Sequence, residues 1–561
     1  MRSLILSALC GALLTSAIAG CGDDDPPGSS SGTSSSSGTG GSGGVSPDDP
    51  ITPAAGGVRR LLKQQYIGSL RVLFGEVAVA AAAPPNDQAL KGYDAIGAAE
   101  LTTASSSVET YETSARNVAA AVVADSATLD GILPCQPSSG TDTACIGQFI
   151  ASLGRLAWRR ALSDAEVARI VAASQTAAEK YGATDPTRAL PAALEASISA
   201  LIQSPYFLYM VELGEQTEDP AIRRLTPNEL VTRMSFFLLN ATPDADLLDA
   251  AEGGELDDDA GVAALAEEML SRPEARTTLD TFYAEILRLR QLDIMAKDED
   301  KFPQLTDTLK EAMREETLAL IRDIVWNKNS DAREMLTAQR TFVNAELAQL
   351  YGIEPPSGSG FVEVTLPSSQ ERFGIFGHAG LLALLSHVDS TSATRRGAFV
   401  QANLLCTPVP PPPPDVVPVL PPDDGTPKTA KQKLENHQKV ESCAGCHKLM
   451  DPIGFALEHF DGIGAWRPTD QGLTIDTSGS VPDLGDFAGP GELANLVTDD
   501  KRTVPCMIKH FFRHSMGHLD TPGEQPALLQ LEESFAPEYR IVELLVKLVQ
   551  NPAFRLVGDP K

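Results

Sequence analysis

Apolar residues recur at helical spacing along most of the chain. Leu61, Leu62, Ile67, Leu70, Leu73 and Phe74 mark one face after residue 58, and an alanine-rich stretch over residues 111–124 continues the pattern. Ser163 and Glu166 form an S-x-x-E capping box ahead of Val167, Ile170 and Val171, which starts a helix near Asp164. Leu194 to Leu201 stay helical, and Pro205, lacking a backbone N–H, should interrupt them. Thr226-Pro227-Asn228-Glu229 caps a further helix whose Leu230, Met234, Phe237 and Leu238 share one face, and Thr242-Pro243 opens the next. Helical periodicity runs on through Leu309, Met313, Leu320, Ile324 and Met335, so residues 58–355 read as mostly α. Residues 361–366 alternate as a short strand, and the Gly/Asp-rich residues 473–487 suit a small hairpin before helices resume from Glu492. The expected fold class is mainly α, with multi-helical domains and minor β.

Two stretches break the pattern. Residues 1–20 read as a secretory signal: Arg2 is the basic start, Leu4 to Leu14 the apolar run, and small residues follow. Ile18-Ala19-Gly20-Cys21 resembles a bacterial lipobox, which implies that Cys21 is the acylated first residue and a membrane anchor. Gly22 rather than aspartate comes second, so the resemblance implies outer-membrane delivery, on the periplasmic or the surface face. Residues 21–57 are dominated by Gly, Ser, Asp and Pro; a coil of that length holds a body roughly 30 Å from its anchor. The second break is residues 408–422, where nine prolines enforce polyproline II, a stiff spacer or wrapped strap.

Composition narrows the function. With 45 Lys and Arg against 75 Asp and Glu, the formal charge is −30, which disfavours nucleic acid held through its phosphates. Once Cys10 and Cys21 are set aside, cysteines remain at 135, 145, 406, 443, 446 and 506. Cys135 and Cys145 bracket a Ser/Gly/Thr loop that suits a local disulfide in an oxidising compartment, and Cys406 and Cys506 are left as a second pair.

The chemistry lies at Cys443-Ala444-Gly445-Cys446-His447, a C-x-x-C-H string whose chance expectation in this composition is on the order of 10⁻³. Two thiols at this spacing can form thioethers to two vinyl groups while the next residue presents its imidazole to the iron, so the expectation is one covalent haem c with His447 as proximal ligand. A redox dithiol lacks its strand-to-helix turn here, and a zinc site lacks a neighbouring second ligand pair, although His510 and His514 have H-x₃-H spacing. For the distal position the sequence offers His437, Met507 and His510 foremost, with His387, Met450, His514 and Met516 behind them. Asp451-Pro452 reads as a turn ending the haem-binding helix. Asp451, Glu458 and Asp461 also offer a carboxylate cluster of the kind a glycosidase uses, but among so many acids clustering is expected.

The phrase running from Cys443 through Asp451-Pro452-Ile453-Gly454-Phe455-Ala456-Leu457-Glu458 to Phe460-Asp461 and Gly464-Ala465-Trp466-Arg467 resembles the planctomycete-type secreted cytochrome-like proteins, found also in myxobacteria. Trp158-Arg159-Arg160-Ala161-Leu162, Gln203-Ser204-Pro205-Tyr206-Phe207-Leu208, Leu225-Thr226-Pro227-Asn228-Glu229 and Arg395-Arg396-Gly397 agree in order. The resemblance implies a string of domains of unknown function with a small cytochrome-like haem segment, and carries roles over to Cys443, Cys446 and His447 alone. His514-Ser515-Met516-Gly517-His518 departs from the family's phrase at that point. The expected segments after the tether are 58–130, 146–213 and 225–353, each helical, then 372–467 with the strap and the C-x-x-C-H string, and a helical 473–556. The leading expectation is single-electron transfer with a redox partner protein, within an oxidative system acting on extracellular polymers and so associated with polysaccharide. The alternative is a non-haem cell-surface binding or scaffold protein whose C-x-x-C pair is structural.

Overall fold

The structure, a computed structural model, describes residues 44–358, 360–410, 426–437 and 441–560, with side chains at 436, 437 and 441–443 not included. The signal, Cys21, the tether up to residue 43, most of the proline run, and the side chains of His437 and Cys443 therefore lie outside the described residues.

Helices dominate, and local sequence explains many of their ends. Ser163 accepts from the Glu166 N–H and Glu166 reaches back, starting the helix Asp164–Gly182; Thr226 and Glu229 do the same for Pro227–Leu239. The helix Ala189–Ile202 stops before Pro205, which becomes the first residue of the short helix Pro205–Leu208. The next helix starts at Ala245, capped by Asp244 rather than by Thr242. Thr242 is already committed: its hydroxyl donates to the Leu156 carbonyl and its N–H to Ser69.

The helices Lys63–Phe74, Ser105–Ala124, Thr143–Trp158, Asp164–Gly182 and Ala189–Ile202 enclose one core around Tyr66, Phe149, Ile150, Leu201 and Phe207. Buried Arg159 ties the 206–209 turn to this core, donating to the carbonyls of Tyr206, Phe207 and Tyr209. A second core takes residues from Tyr93 to Val557, with Phe237, Phe282, Phe376, Phe460 and Phe511 in its interior. Val45–Lys561 thus forms one unit. No described helix is long and apolar enough to cross a membrane.

The β structure is small and antiparallel. Gly57–Arg60 pairs with Tyr209–Glu212, and Ile222–Arg224 lies between Glu215–Gln216 and Leu556–Gly558. Val362–Thr365 is the expected strand, but its partner Arg340–Val343 falls in a stretch read as mostly helical. There Thr341 and Val343 turn inward and Arg340 and Phe342 outward, which is strand alternation. Residues 469–488 form two hairpins, Thr469–Asp470 with Leu473–Thr474 and Ser478–Val481 with Gly485–Ala488.

Candidate functional site

Cys446 and His447 lie on the helix Glu441–Phe455, which packs against Ala393–Phe399. The two helices cross where they have no side chains: a Cβ on Gly397 would meet the Met450 carbonyl oxygen at 1.8 Å, and one on Gly454 the Ala393 oxygen at 2.0 Å. This close approach brings Thr394 to Asp451, whose Oδ1 accepts from the threonine hydroxyl at 2.7 Å, and lets Gln401 Nε2 donate to the Leu449 carbonyl at 3.0 Å.

Asp451 is fully buried and its Oδ2 accepts from His447 Nδ1 at 2.9 Å, one helical turn away. The carboxylate bonded to it raises the His447 imidazole above its ordinary value. In the neutral ring the bond to Asp451 holds the proton on Nδ1 and leaves the lone pair on Nε2, a nitrogen through which a ring can ligate a metal. The sequence reading of Asp451-Pro452 as a helix-ending turn is corrected here. Pro452 sits inside a helix that continues to Phe455, and tight packing on Ala393–Phe399 outweighs the local disfavour of an interior proline. The i, i+4 spacing of His447 and Asp451 was the signal that could have revealed their bond.

The rest of the motif anchors this helix. Arg396, with no exposed surface, donates to the carbonyls of Leu457, Phe460 and Asp461 and lies 3.7 Å from Glu458. Glu458 accepts from Thr391 at 2.7 Å and from Arg467 at 3.0 Å. Arg372, stacked between Tyr351 and Phe460, donates to the Gly377 and Gly464 carbonyls, and Gly464 takes φ +86°. Asp461 Oδ1 accepts from the Ile463 and Ala465 N–H groups. The carboxylates that suggested a hydrolase are each committed to a histidine, an arginine or the backbone.

Both expected disulfides form, Cys135 with Cys145 and Cys406 with Cys506, while Cys446 is in neither. Of the distal candidates, His510 is withdrawn: Nδ1 bonds the Tyr93 hydroxyl at 2.7 Å and Nε2 the Asn403 carbonyl at 2.8 Å. Met507 lines, with His510, an apolar cavity of about 60 Å³ walled by Phe282, Tyr283 and Phe511, to which the Glu441–Phe455 helix contributes nothing. His514 is buried against Phe237 and Phe282 with Glu285 at 3.6 Å, and Met450 packs in the core. The one cluster of three ligand-type side chains among the described residues is Cys406, Cys506 and His510, and its two sulfurs are bonded to each other, which excludes a thiolate zinc centre there.

Four family models match in succession: PSD3 (DUF1587) over residues 59–124, PSD5 (DUF1595) over 145–212, PSD4 (DUF1592) over 225–353 and PSCyt3 (DUF1588) over 372–470. Each is described as a protein of unknown function. The chain belongs to the planctomycete-type PSD/PSCyt family. Within it, the PSCyt3 segment holds the helix crossing, the His447–Asp451 pair and the arginine anchors together. No curated protein and no solved structure matches the chain.

Proposed function

We propose that this PSD/PSCyt protein is an exported lipoprotein that carries one covalent haem c at Cys443, Cys446 and His447 and passes single electrons. The observation that carries the reading is the His447 Nδ1 bond to buried Asp451. Metal-ligating histidines characteristically donate their second ring nitrogen to a carboxylate or carbonyl, which fixes tautomer and orientation. Cys446, on the same helix and outside any disulfide, suits thioether formation, and the PSCyt3 name is in keeping with a cytochrome-like segment. When bound, haem supplies a one-electron iron couple. The chain's own groups prepare for it. Asp451 holds the proton on Nδ1, Thr394 fixes Asp451, and the Gly397–Gly454 crossing keeps the helix from sliding.

The proposal extends to an anchor at Cys21 in the outer membrane and to a redox partner protein within a system acting on extracellular polymers, associated with polysaccharide. The scaffold alternative takes the C-x-x-C pair as structural; Cys446 is a free cysteine whose sulfur lies 4.0 Å from the Pro410 carbonyl oxygen. The test is a reduced-minus-oxidised pyridine haemochrome spectrum of the full chain made in a host with cytochrome c maturation, beside a Cys443→Ala/Cys446→Ala chain. A covalent c-type band absent from the double variant is the expected result. A folded wild type without haem overturns the reading.

A further inference from the structure

Both disulfides begin a helix, yet their surroundings differ. Cys145 is the third residue of Thr143–Trp158, and the side chain capping that helix is the Asp142 carboxylate, which accepts from the Cys145 N–H at 3.2 Å. A negative charge there opposes a thiolate on Cys145. Cys506 is the fourth residue of Thr503–Met516, a helix with no carboxylate cap, and His510 follows one turn later with Nε2 at 3.6 Å from the Cys506 sulfur.

The state of His510 follows from its partners. The Asn403 carbonyl can only accept, so Nε2 carries the proton, and Nδ1 accepts from the Tyr93 hydroxyl. Burial holds the ring neutral, at about 4. The Nε2–H therefore faces both the Asn403 oxygen and the Cys506 sulfur. Cys506 is 1% exposed, whereas Cys406 is partly exposed and takes φ +48°, the left-handed region that side-chain-bearing residues avoid.

We propose that Cys406–Cys506 is a thiol–disulfide exchange site, with the Cys406 sulfur the point of attack and Cys506 the leaving group received by His510 Nε2–H. An incoming thiolate from a small or protein thiol forms a new S–S bond to Cys406 as the Cys406–Cys506 bond breaks, and the electron pair leaves on Cys506. A second thiol attacks the incoming sulfur and releases Cys406. Two thiols become one disulfide, and the protein gains two electrons and two protons. The site is independent of the haem reading. It sits beside the turn Val400–Leu404, in which Asn403 holds His510 and Gln401 holds Leu449 of the C-x-x-C-H helix, so exchange alters the segment that braces that helix.

The test exposes the folded full chain to graded reduced glutathione, quenches with acid, alkylates, and maps each cysteine by peptide mass. The Cys443→Ala/Cys446→Ala chain is run in parallel to remove those thiols as attacking groups. Cys406–Cys506 should open at least about tenfold faster than Cys135–Cys145, with the trapped glutathione adduct on Cys406. His510→Gln should slow that opening about tenfold and leave Cys135–Cys145 unchanged. Equal rates for the two bonds, earlier opening of Cys135–Cys145, or an adduct on Cys506 in the wild type overturns the proposal, and these readouts hold even where the variant does not fold.

Discussion

Replacing Gly454 with alanine places a methyl group 2.0 Å from the Ala393 carbonyl oxygen and 2.3 Å from the carbon bonded to it. The obstacle is backbone, so no side chain can swing aside, and the helices must part by at least about 1 Å to reach even the tightest contacts that Cβ atoms make. That movement stretches the Thr394–Asp451 bond of 2.7 Å and the Gln401–Leu449 bond of 3.0 Å beyond useful hydrogen-bond length. Overpacking costs about 1–3 kcal/mol and two part-buried hydrogen bonds about 1 kcal/mol each, against a gain of about 1 kcal/mol in helix propensity. The net expectation is a loss of about 2–4 kcal/mol. Urea unfolding of the haem-free chain, followed by near-ultraviolet circular dichroism, measures it. Gly445→Ala is the control: it lies in the same helix with nothing among the described residues within 4 Å of its added methyl, so it should be neutral or slightly stabilising. Equal midpoints for Gly454→Ala and the control would refute the crossing geometry.

Three further outcomes follow from the same contacts. Asp451→Asn replaces a charge-assisted bond to His447 with a neutral one, a change of about 1 kcal/mol that should raise the one-electron potential by roughly 40 mV in a redox titration; an unchanged potential would exclude Asp451 as the tuning group. Arg396→Met leaves Glu458 buried with less compensation and three carbonyls without their donor, so urea unfolding should register a loss of about 3–5 kcal/mol. Glu316, buried under Tyr351 and Thr341, is pushed up to about 7 by desolvation from an ordinary 4.5, so the folded chain keeps a proton that the unfolded chain has lost. Its contribution to stability therefore falls as pH rises from 4.5 to 7, by about 3 kcal/mol in all, and Glu316→Gln should gain on the wild type by that amount between pH 4.5 and 8; a pH-independent gap would contradict it.

What could be read beforehand was what the chain settles locally. The Ser163–Glu166 and Thr226–Glu229 caps, the Pro205 break and the short Cys135–Cys145 loop each depend on residues within about ten positions of one another. The C-x-x-C-H string is local too, and its Cys446 and His447 fall on one helix. Pro452 was misread because local disfavour argues for a break, whereas the packing that overrides it comes from Gly397, far away in sequence. The strand Arg340–Val343 was hidden for a similar reason, since its partner lies across an intervening helix, Ala345–Tyr351. His510 looked eligible as a ligand only until Tyr93 and Asn403, hundreds and about a hundred residues away, took both of its nitrogens.

The segment just after residue 44 lies against the end of the chain: Thr52 bonds Gly523, Ala55 bridges Gly558, and Arg59 donates to the Ser515 carbonyl. A polypeptide made from its N-terminus must therefore hold residues 52–59 unpaired until residues 515–558 arrive. The small core of the early helices can condense on its own in that interval, but closure of the whole body waits for release of the final strand. Loss of residues 556–558 would thus be felt at residues 52–59, about 500 positions earlier in the sequence.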